Sequence, residues 1–256
     1  IMPSLVGSEM CIRDRDKTAD DSPMARYYRE RSRVLSPDGR WAAFIRNYNL
    51  WVRKISNNKE VQLTFDGKED YGYATNNAGW TKGPGPVVLW SPDSKKIATF
   101  QHDGRGVGEM YMVSTKSGHP ELSQWKYPLP GDSLIFRISR IIINVQNATE
   151  EISGVPEIVR LNMPPDQHRS TSSDHIAGRG GTFLDVRWSD DAKTLAFVSS
   201  SRDHKEAQLR VADSMTGEVR DVMKETQKTY FESGDGSVSY THLRAHETRH
   251  DLVCRL

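Results

Sequence analysis

Three stretches of the chain repeat one pattern: Leu35-Ser-Pro-Asp-Gly-Arg-Trp-Ala-Ala-Phe44, Trp90-Ser-Pro-Asp-Ser-Lys-Lys-Ile-Ala-Thr-Phe100 and Trp188-Ser-Asp-Asp-Ala-Lys-Thr-Leu-Ala-Phe-Val198. Each joins a tight polar turn to an apolar strand. Proline at the first central position presets φ, Asp caps the turn with its side chain, and Gly39 or a small residue tolerates the tight backbone. The aspartates Asp38, Asp93 and Asp191 stand 55 and 98 residues apart. Because 98 is about two periods near 50, a degenerate further copy is expected between the last two. A strand-built repeat of that length is a β-propeller signature.

The segments after the turns carry the same message. Asn49-Leu-Trp-Val-Arg-Lys-Ile55, the polar pair Asn57-Asn58 and Glu60-Val-Gln-Leu-Thr64 read as a hairpin, and Gln208-Leu-Arg-Val-Ala-Asp213, Thr216-Gly217 and Glu218-Val-Arg-Asp-Val222 repeat that layout. The expected units run over 34–64, from the 66–86 connection to about 130, over 134–163 around Ile141-Ile-Ile-Asn-Val145, and over 185–222. The fold class is therefore all-β, a partial β-propeller of about four four-stranded antiparallel blades. Blades bury their faces against one another, so four of them leave open flanks.

The two ends read differently. Leu5-Val-Gly-Ser-Glu-Met-Cys-Ile-Arg-Asp14 is what a transposase-type sequencing adapter encodes, and Val238-Ser-Tyr-Thr-His-Leu-Arg-Ala-His-Glu-Thr248 is its reverse complement in another frame. Asp251-Leu-Val-Cys-Arg-Leu256 matches the flow-cell sequence beyond it. Residues 1–15 and 238–256 are expected to be library read-through, leaving 16–237 as a natural fragment. His242, His246 and His250, which on a helix would align as a metal face, are then read-through too. So are both cysteines, Cys11 and Cys254, which leaves no disulfide, thiol nucleophile or cysteine metal site.

Composition is that of an ordinary globular chain: 36% hydrophobic and 27% charged residues, a net charge of +1 and a mean hydropathy of −0.66. No nucleic-acid bias follows, and no apolar run approaches membrane-spanning length. Arg26-Tyr-Tyr-Arg-Glu-Arg-Ser-Arg33 could be a basic aromatic patch, but alternating charges favour an outer strand facing solvent. His102, His119, His168, His175 and His204 show no metal spacing and read mostly as loop or blade-edge residues. No metal or cofactor is called for.

Ser36-Pro-Asp-Gly, Asn49-Leu-Trp-Val, Gln62-Leu-Thr, Gly67-Lys-Glu-Asp70, Trp90-Ser-Pro-Asp-Ser, Tyr127-Pro-Leu-Pro-Gly131 and Trp188-Ser-Asp-Asp occur in an order that resembles the N-terminal propeller of bacterial dipeptidyl peptidase IV-like enzymes. These belong to the prolyl oligopeptidase family of serine peptidases. The resemblance covers about 34–236. It implies a propeller that gates peptide access to a C-terminal α/β-hydrolase domain, in a periplasmic or secreted enzyme and a homodimer. A serine on a Gly-x-Ser-x-Gly turn would be the nucleophile. No such motif occurs in the 256 residues, so no catalytic residue is assigned, and Ser199-Ser-Ser201 reads as structural.

In the family the propeller holds the substrate's amino terminus with two glutamates ahead of the second Trp-Ser-Pro, which fixes the distance to the scissile bond. Here 71–92 contains no acidic residue, and Glu150-Glu151 falls in a polar loop after the second unit. The candidate substitute is Asp103-Gly-Arg-Gly-Val-Gly-Glu109, whose glycines permit close backbone approach. Arg105 would take a substrate carboxylate or carbonyl and Glu109 an amine. The same loop also reads as a plain glycine-containing hairpin turn whose charges pair or face water. It opens no helical pattern, which excludes a phosphate loop. A non-catalytic TolB-like propeller that binds a protein partner is the alternative function. The Gly-Lys-Glu-Asp and Tyr-Pro-x-x-Gly motifs favour the peptidase.

Overall fold

The computed structural model describes residues 32–75, 85–115, 117–146, 156–167, 183, 186–203 and 205–229. Residues 1–15 and 238–256, Glu150-Glu151, and His168, His175, His204, His242, His246 and His250 lie outside these, as does all of Arg26–Arg33 except Ser32 and Arg33. Fifteen strands run through the described residues, all paired antiparallel. No helix among them is long and apolar enough to cross a membrane.

The first sheet contains β1 (Val34–Leu35), β2 (Trp41–Arg46), β3 (Asn49–Lys54) and β4 (Glu60–Gln62) in chain order. The last contains β12 (Val186–Trp188), β13 (Thr194–Ser200), β14 (Glu206–Asp213) and β15 (Val219–Thr226), also in chain order. Both match the predicted units. Their turns show why the motif recurs. Ser36 Oγ donates to Asp38 Oδ1 at 2.6 Å and accepts from the Trp41 amide at 3.0 Å, while Asp38 Oδ1 accepts from the Arg40 amide at 3.0 Å. Ser91–Asp93 and Ser189–Asp191 repeat the first bond at 2.6 and 2.7 Å. Gly39, Ser94 and Ala192 occupy the same left-handed position, with φ of 68°, 61° and 57°. Glycine adopts it freely, and the short side chains of the other two tolerate it.

These bonds set an acid limit. Burial is the largest influence on Asp38 and pushes its carboxyl up, but the hydrogen bonds from Ser36 and Arg40 together outweigh it and hold it below the ordinary 3.8. Asp191 is held low chiefly by Ser189. A carboxyl depressed in the folded state stabilises above its unfolded pKa, and that stability is lost as pH falls through the folded value. Denaturation midpoints are therefore expected to drop below about pH 3.8. The Asp38→Asn, Asp191→Asn double variant should flatten that limb; an unchanged acid limb would show that the turns do not supply it.

The middle of the chain departs from the prediction. β5 (Leu89–Trp90) and β6 (Lys96–Asp103) do not close a sheet with the strands that follow them directly. β6 pairs along all eight residues with β9 (Arg137–Asn144), and β9 pairs with β10 (Glu157–Arg160) and β11 (Asp166–Gln167). The segment between them forms a separate two-stranded sheet of β7 (Glu109–Ser114) and β8 (Glu121–Lys126). The predicted second and third units are thus one blade enlarged by an inserted hairpin. The long spacing from Asp93 to Asp191 is one stretched period rather than two. Ile138, Ile141, Ile142 and Ile143 of β9 explain the pairing, because they fill the core on both faces of the sheet.

The sheets pack face to face in chain order. Leu50, Val52 and Leu63 of the first meet Ile97, Ile141 and Ile143 of the middle. Phe100, Ile138 and Ile142 of the middle meet Leu195 and Phe197 of the last. Each repeated tryptophan fastens its blade to the one before: Trp90 Nε1 donates to the Val34 carbonyl at 3.2 Å, and Trp188 Nε1 to the Leu89 carbonyl at 3.1 Å. Trp188→Phe keeps most of the ring and loses the bond, so a loss of about 1 kcal/mol is expected in urea unfolding. Asp166 and Arg140 form a buried ion pair at 2.7 Å, with side chains 7% and 2% exposed. Arg140 also reaches the Val198 carbonyl in the last sheet at 3.1 Å.

Candidate functional site

β2, β6 and β13 each run away from a Ser-x-Asp turn, so the turn between β2 and β3, the loop after β6 and the turn between β13 and β14 share the opposite end of the sheets. Residues 66–75 cross the same end. The Tyr73 amide donates to the Tyr48 carbonyl at 2.8 Å, the His102 amide to Gly72 at 2.8 Å and the Gly104 amide to Asp70 at 2.7 Å. This segment therefore rides along the last residues of β6 and delivers Asp70 and Tyr71 to the loop that leads into β7. Lys126, at the end of β8, completes the frame: its Nζ lies 2.7 Å from the Asp70 carboxylate and donates to the Gly104 carbonyl at 2.9 Å.

Arg105 sits within this frame. Its guanidinium is gripped edge-on by Asp103, Nε to Oδ1 at 2.9 Å and Nη2 to Oδ2 at 2.7 Å, and lies over the Tyr71 ring at 3.8 Å from the centroid. Hydrogen bonding from Arg105 holds the Asp103 carboxyl below its ordinary range. The arginine side chain remains 51% exposed. A planar cation clamped on one edge and stacked on one face presents its remaining donors in a fixed direction, which suits a carboxylate or carbonyl oxygen.

Glu109 opens β7 and accepts from the Tyr111 hydroxyl and from Gln124 Nε2, both at 2.6 Å. Its hydrogen bond keeps the Tyr111 phenol up, above the usual tyrosine range. Arg105 and Glu109 lie at the two ends of one loop, and each engages its own neighbours rather than the other. Glu109 keeps its charge facing solvent, with neutral donors fixing its carboxylate.

The pattern of the sequence singles out the stretch from Asp103 to Glu109 and the Gly67-Lys-Glu-Asp70 motif, but does not bring Asp70, Tyr71 or Lys126 to this site. Asp103 and Arg105 are two residues apart, which is a local signal for a turn-closing pair. Tyr71 and Lys126 reach the loop only through tertiary pairing. His102 corrects the expectation of a blade-edge histidine: it is fully buried in β6, with its ring 5.2 Å from that of Phe136. Ser199 and Ser200 end β13, and Ser201 caps the next turn by donating to Asp203 at 2.6 Å.

A family model described as the dipeptidyl peptidase IV (DPP IV) N-terminal region matches residues 17–250. The chain belongs to that family. Among curated relatives, the probable dipeptidyl-aminopeptidase B of Aspergillus fumigatus is 30% identical over 113 residues, which is 38% of this chain and 12% of the relative. The probable dipeptidyl-aminopeptidase B of Aspergillus oryzae is 32% identical, again over 38% of this chain and 12% of the relative. The crystal structure of Porphyromonas gingivalis dipeptidyl peptidase 4 superposes with a TM-score of 0.57 at 21% identity, covering 78% of this chain and 26% of that one. The chain thus spans a small part of the length of these proteins. In this member of the DPP IV N-terminal family, Gly67-Lys-Glu-Asp70 is the stretch that crosses the sheet ends and brings Asp70 and Tyr71 to the candidate loop.

Proposed function

We propose that this chain is the substrate-gating part of a serine exopeptidase that cleaves peptides in dipeptidyl peptidase fashion, with the nucleophile on an α/β-hydrolase domain outside the 256 residues. The observation that carries the site is the clamped, outward-facing Arg105 at one end of a loop and the solvent-facing Glu109 carboxylate at the other. In this reading Arg105 holds a backbone carbonyl or a carboxylate of the peptide. Glu109 receives its amino terminus, in place of the glutamate pair that 71–92 lacks. Family membership supports the peptide substrate. The periplasmic or secreted location and the homodimer rest on the resemblance of the motifs alone.

The test uses the enzyme that contains this chain together with its hydrolase domain. Glu109→Ala is expected to lower kcat/KM for peptides with a free amino terminus about tenfold to a hundredfold, the worth of a charge-assisted hydrogen bond of roughly 1.5–3 kcal/mol. Amino-blocked peptides should be cleaved as before. Equal losses on free and blocked peptides would remove Glu109 from the site. The 256-residue chain alone should not hydrolyse a chromogenic dipeptide; hydrolysis abolished by a serine-directed inhibitor would overturn the assignment of the nucleophile to another domain.

A further inference from the structure

The turn between β13 and β14 carries an arginine whose side chain is spent on a distant loop. Arg202 Nη2 donates to the Leu129 carbonyl at 2.7 Å and to the Pro128 carbonyl at 3.1 Å, and Nη1 to the Asp132 carbonyl at 3.4 Å. These acceptors lie 70 to 74 residues earlier in the chain. The arginine is itself held in place, because its amide donates to Gln167 Oε1 at 2.7 Å. The grip spans from the last sheet to the segment that returns from the inserted hairpin.

That segment is the back wall of the candidate loop. The Tyr127 amide donates to the Gly108 carbonyl at 2.8 Å. A Cβ on Gly106 would stand 3.2 Å from Leu134 Cδ1, one on Gly104 would stand 3.0 Å from the Phe136 ring, and one on Gly108 would stand 3.9 Å from the Asp132 carboxylate. Residues 127–136 therefore touch every glycine between Asp103 and Glu109. On their other side is an open cleft of about 670 Å³, lined by Asp132, Arg137, Arg202 and Lys205. Leu129 and Leu134 are largely exposed. Phe136, buried against Val107, seats one end of this wall, and over 128–132 the Arg202 fork ties it to the last blade.

We propose that Arg202 is a positioning residue for the peptide site, fixing the Asp103–Glu109 loop by clasping its back wall to the last blade. The inference rests on the reading of Arg105 and Glu109 as substrate contacts, and it explains how a loop with three glycines is kept in one conformation. A guanidinium fork suits the task, since it can reach several carbonyls at once where an ammonium supplies a single point of attachment. Loosening the wall leaves the core sheets intact but makes the loop order itself on binding, which weakens binding without altering the bond-breaking step.

Two measurements on Arg202→Ala and Arg202→Lys test this. In the purified 256-residue chain, exchange of the Gly104, Val107 and Tyr127 amides, each now hydrogen-bonded, should quicken about tenfold in the alanine variant and less in the lysine variant. The urea midpoint should stay unchanged. In the enzyme containing this chain, KM for a free-amino-terminus peptide should rise several-fold with kcat unchanged, with partial rescue by lysine. Unaltered exchange at Gly104 and Val107 would overturn the inference, as would exchange quickened throughout the sheets together with a lower midpoint, which marks a merely structural role. Quickened loop exchange with an unmoved KM would uphold the clasp and instead refute Arg105 and Glu109 as substrate contacts.

Discussion

Asp166→Ala is expected to remove about 3–5 kcal/mol of folding stability, the cost of leaving a buried charge without its counter-ion. Arg140 is almost wholly enclosed, with Nε 2.7 Å from the carboxylate it would lose. Its guanidinium cannot turn outward, because it is packed 4.5 Å from the centroid of the Phe197 ring and bound to the Val198 carbonyl. Arg210 makes the loss worse, since its Nη1 stands 3.7 Å from the same Asp166 and would face Arg140 with no anion between them. Removing both members, as in Arg140→Met with Asp166→Leu, should destabilise less than the single change, because no uncompensated charge remains. Urea titration with a shared m-value reads both variants. A single-variant loss below about 1 kcal/mol would mean that water reaches the pair and that the ion pair does not lock the middle sheet to the last.

The fold was legible where one residue type does one local job. Ser36, Asp38 and their counterparts hydrogen-bond within their own turn, so the pattern survives in sequence. The repeated tryptophans could be seen to recur, but that their Nε1 atoms bind the preceding blade could not, since Val34 and Leu89 contribute only carbonyls. A further copy of the turn carries no such mark in the sequence. Ser201-Arg-Asp-His-Lys-Glu206 makes the same Ser–Asp and Ser–amide bonds, 2.6 and 3.0 Å, without the proline or glycine that usually advertise them.

Pairing at long range was the part that local pattern could not fix. β9 reads as an isolated apolar strand, and nothing in its composition says that its partner is β6, across the inserted β7–β8 hairpin. The site shows the same division. Glycines and charges single out Arg105 and Glu109, while Tyr71 and Lys126 are carried to them by the crossing segment and by the hairpin. The loop's charges pair or face water as the plain-hairpin reading also allows: Arg105 pairs with Asp103, two residues away and already in the right turn geometry, and Glu109 faces solvent.

Gly67→Ala is expected to damage stability and site together. A Cβ there would stand 2.2 Å from the Tyr48 carbonyl oxygen and 2.8 Å from both Tyr48 C and Asn49 Oδ1. Backbone atoms cannot swing aside as a flexible side chain can, so the crossing segment must move away. The shift breaks the bond from the Gly67 amide to Asn49 Oδ1, 2.9 Å, and the return bond from Asn49 Nδ2 to the Gly67 carbonyl, 3.3 Å. It also disturbs the buried Thr64 hydroxyl, which donates to the same Asn49 oxygen at 3.1 Å. Overpacking of this kind costs about 1–3 kcal/mol, and the lost hydrogen bonds add to it. Four residues further on, Tyr71 forms the face on which Arg105 lies, so displacement of the segment should release the guanidinium from its stack. Fluorescence-detected urea unfolding should show the lower midpoint. In the enzyme containing this chain, KM for a free-amino-terminus peptide should rise even at temperatures where the variant is fully folded. A lower midpoint with unchanged KM in the folded variant would show that Gly67 serves the blade and that the crossing segment does not set the position of Arg105.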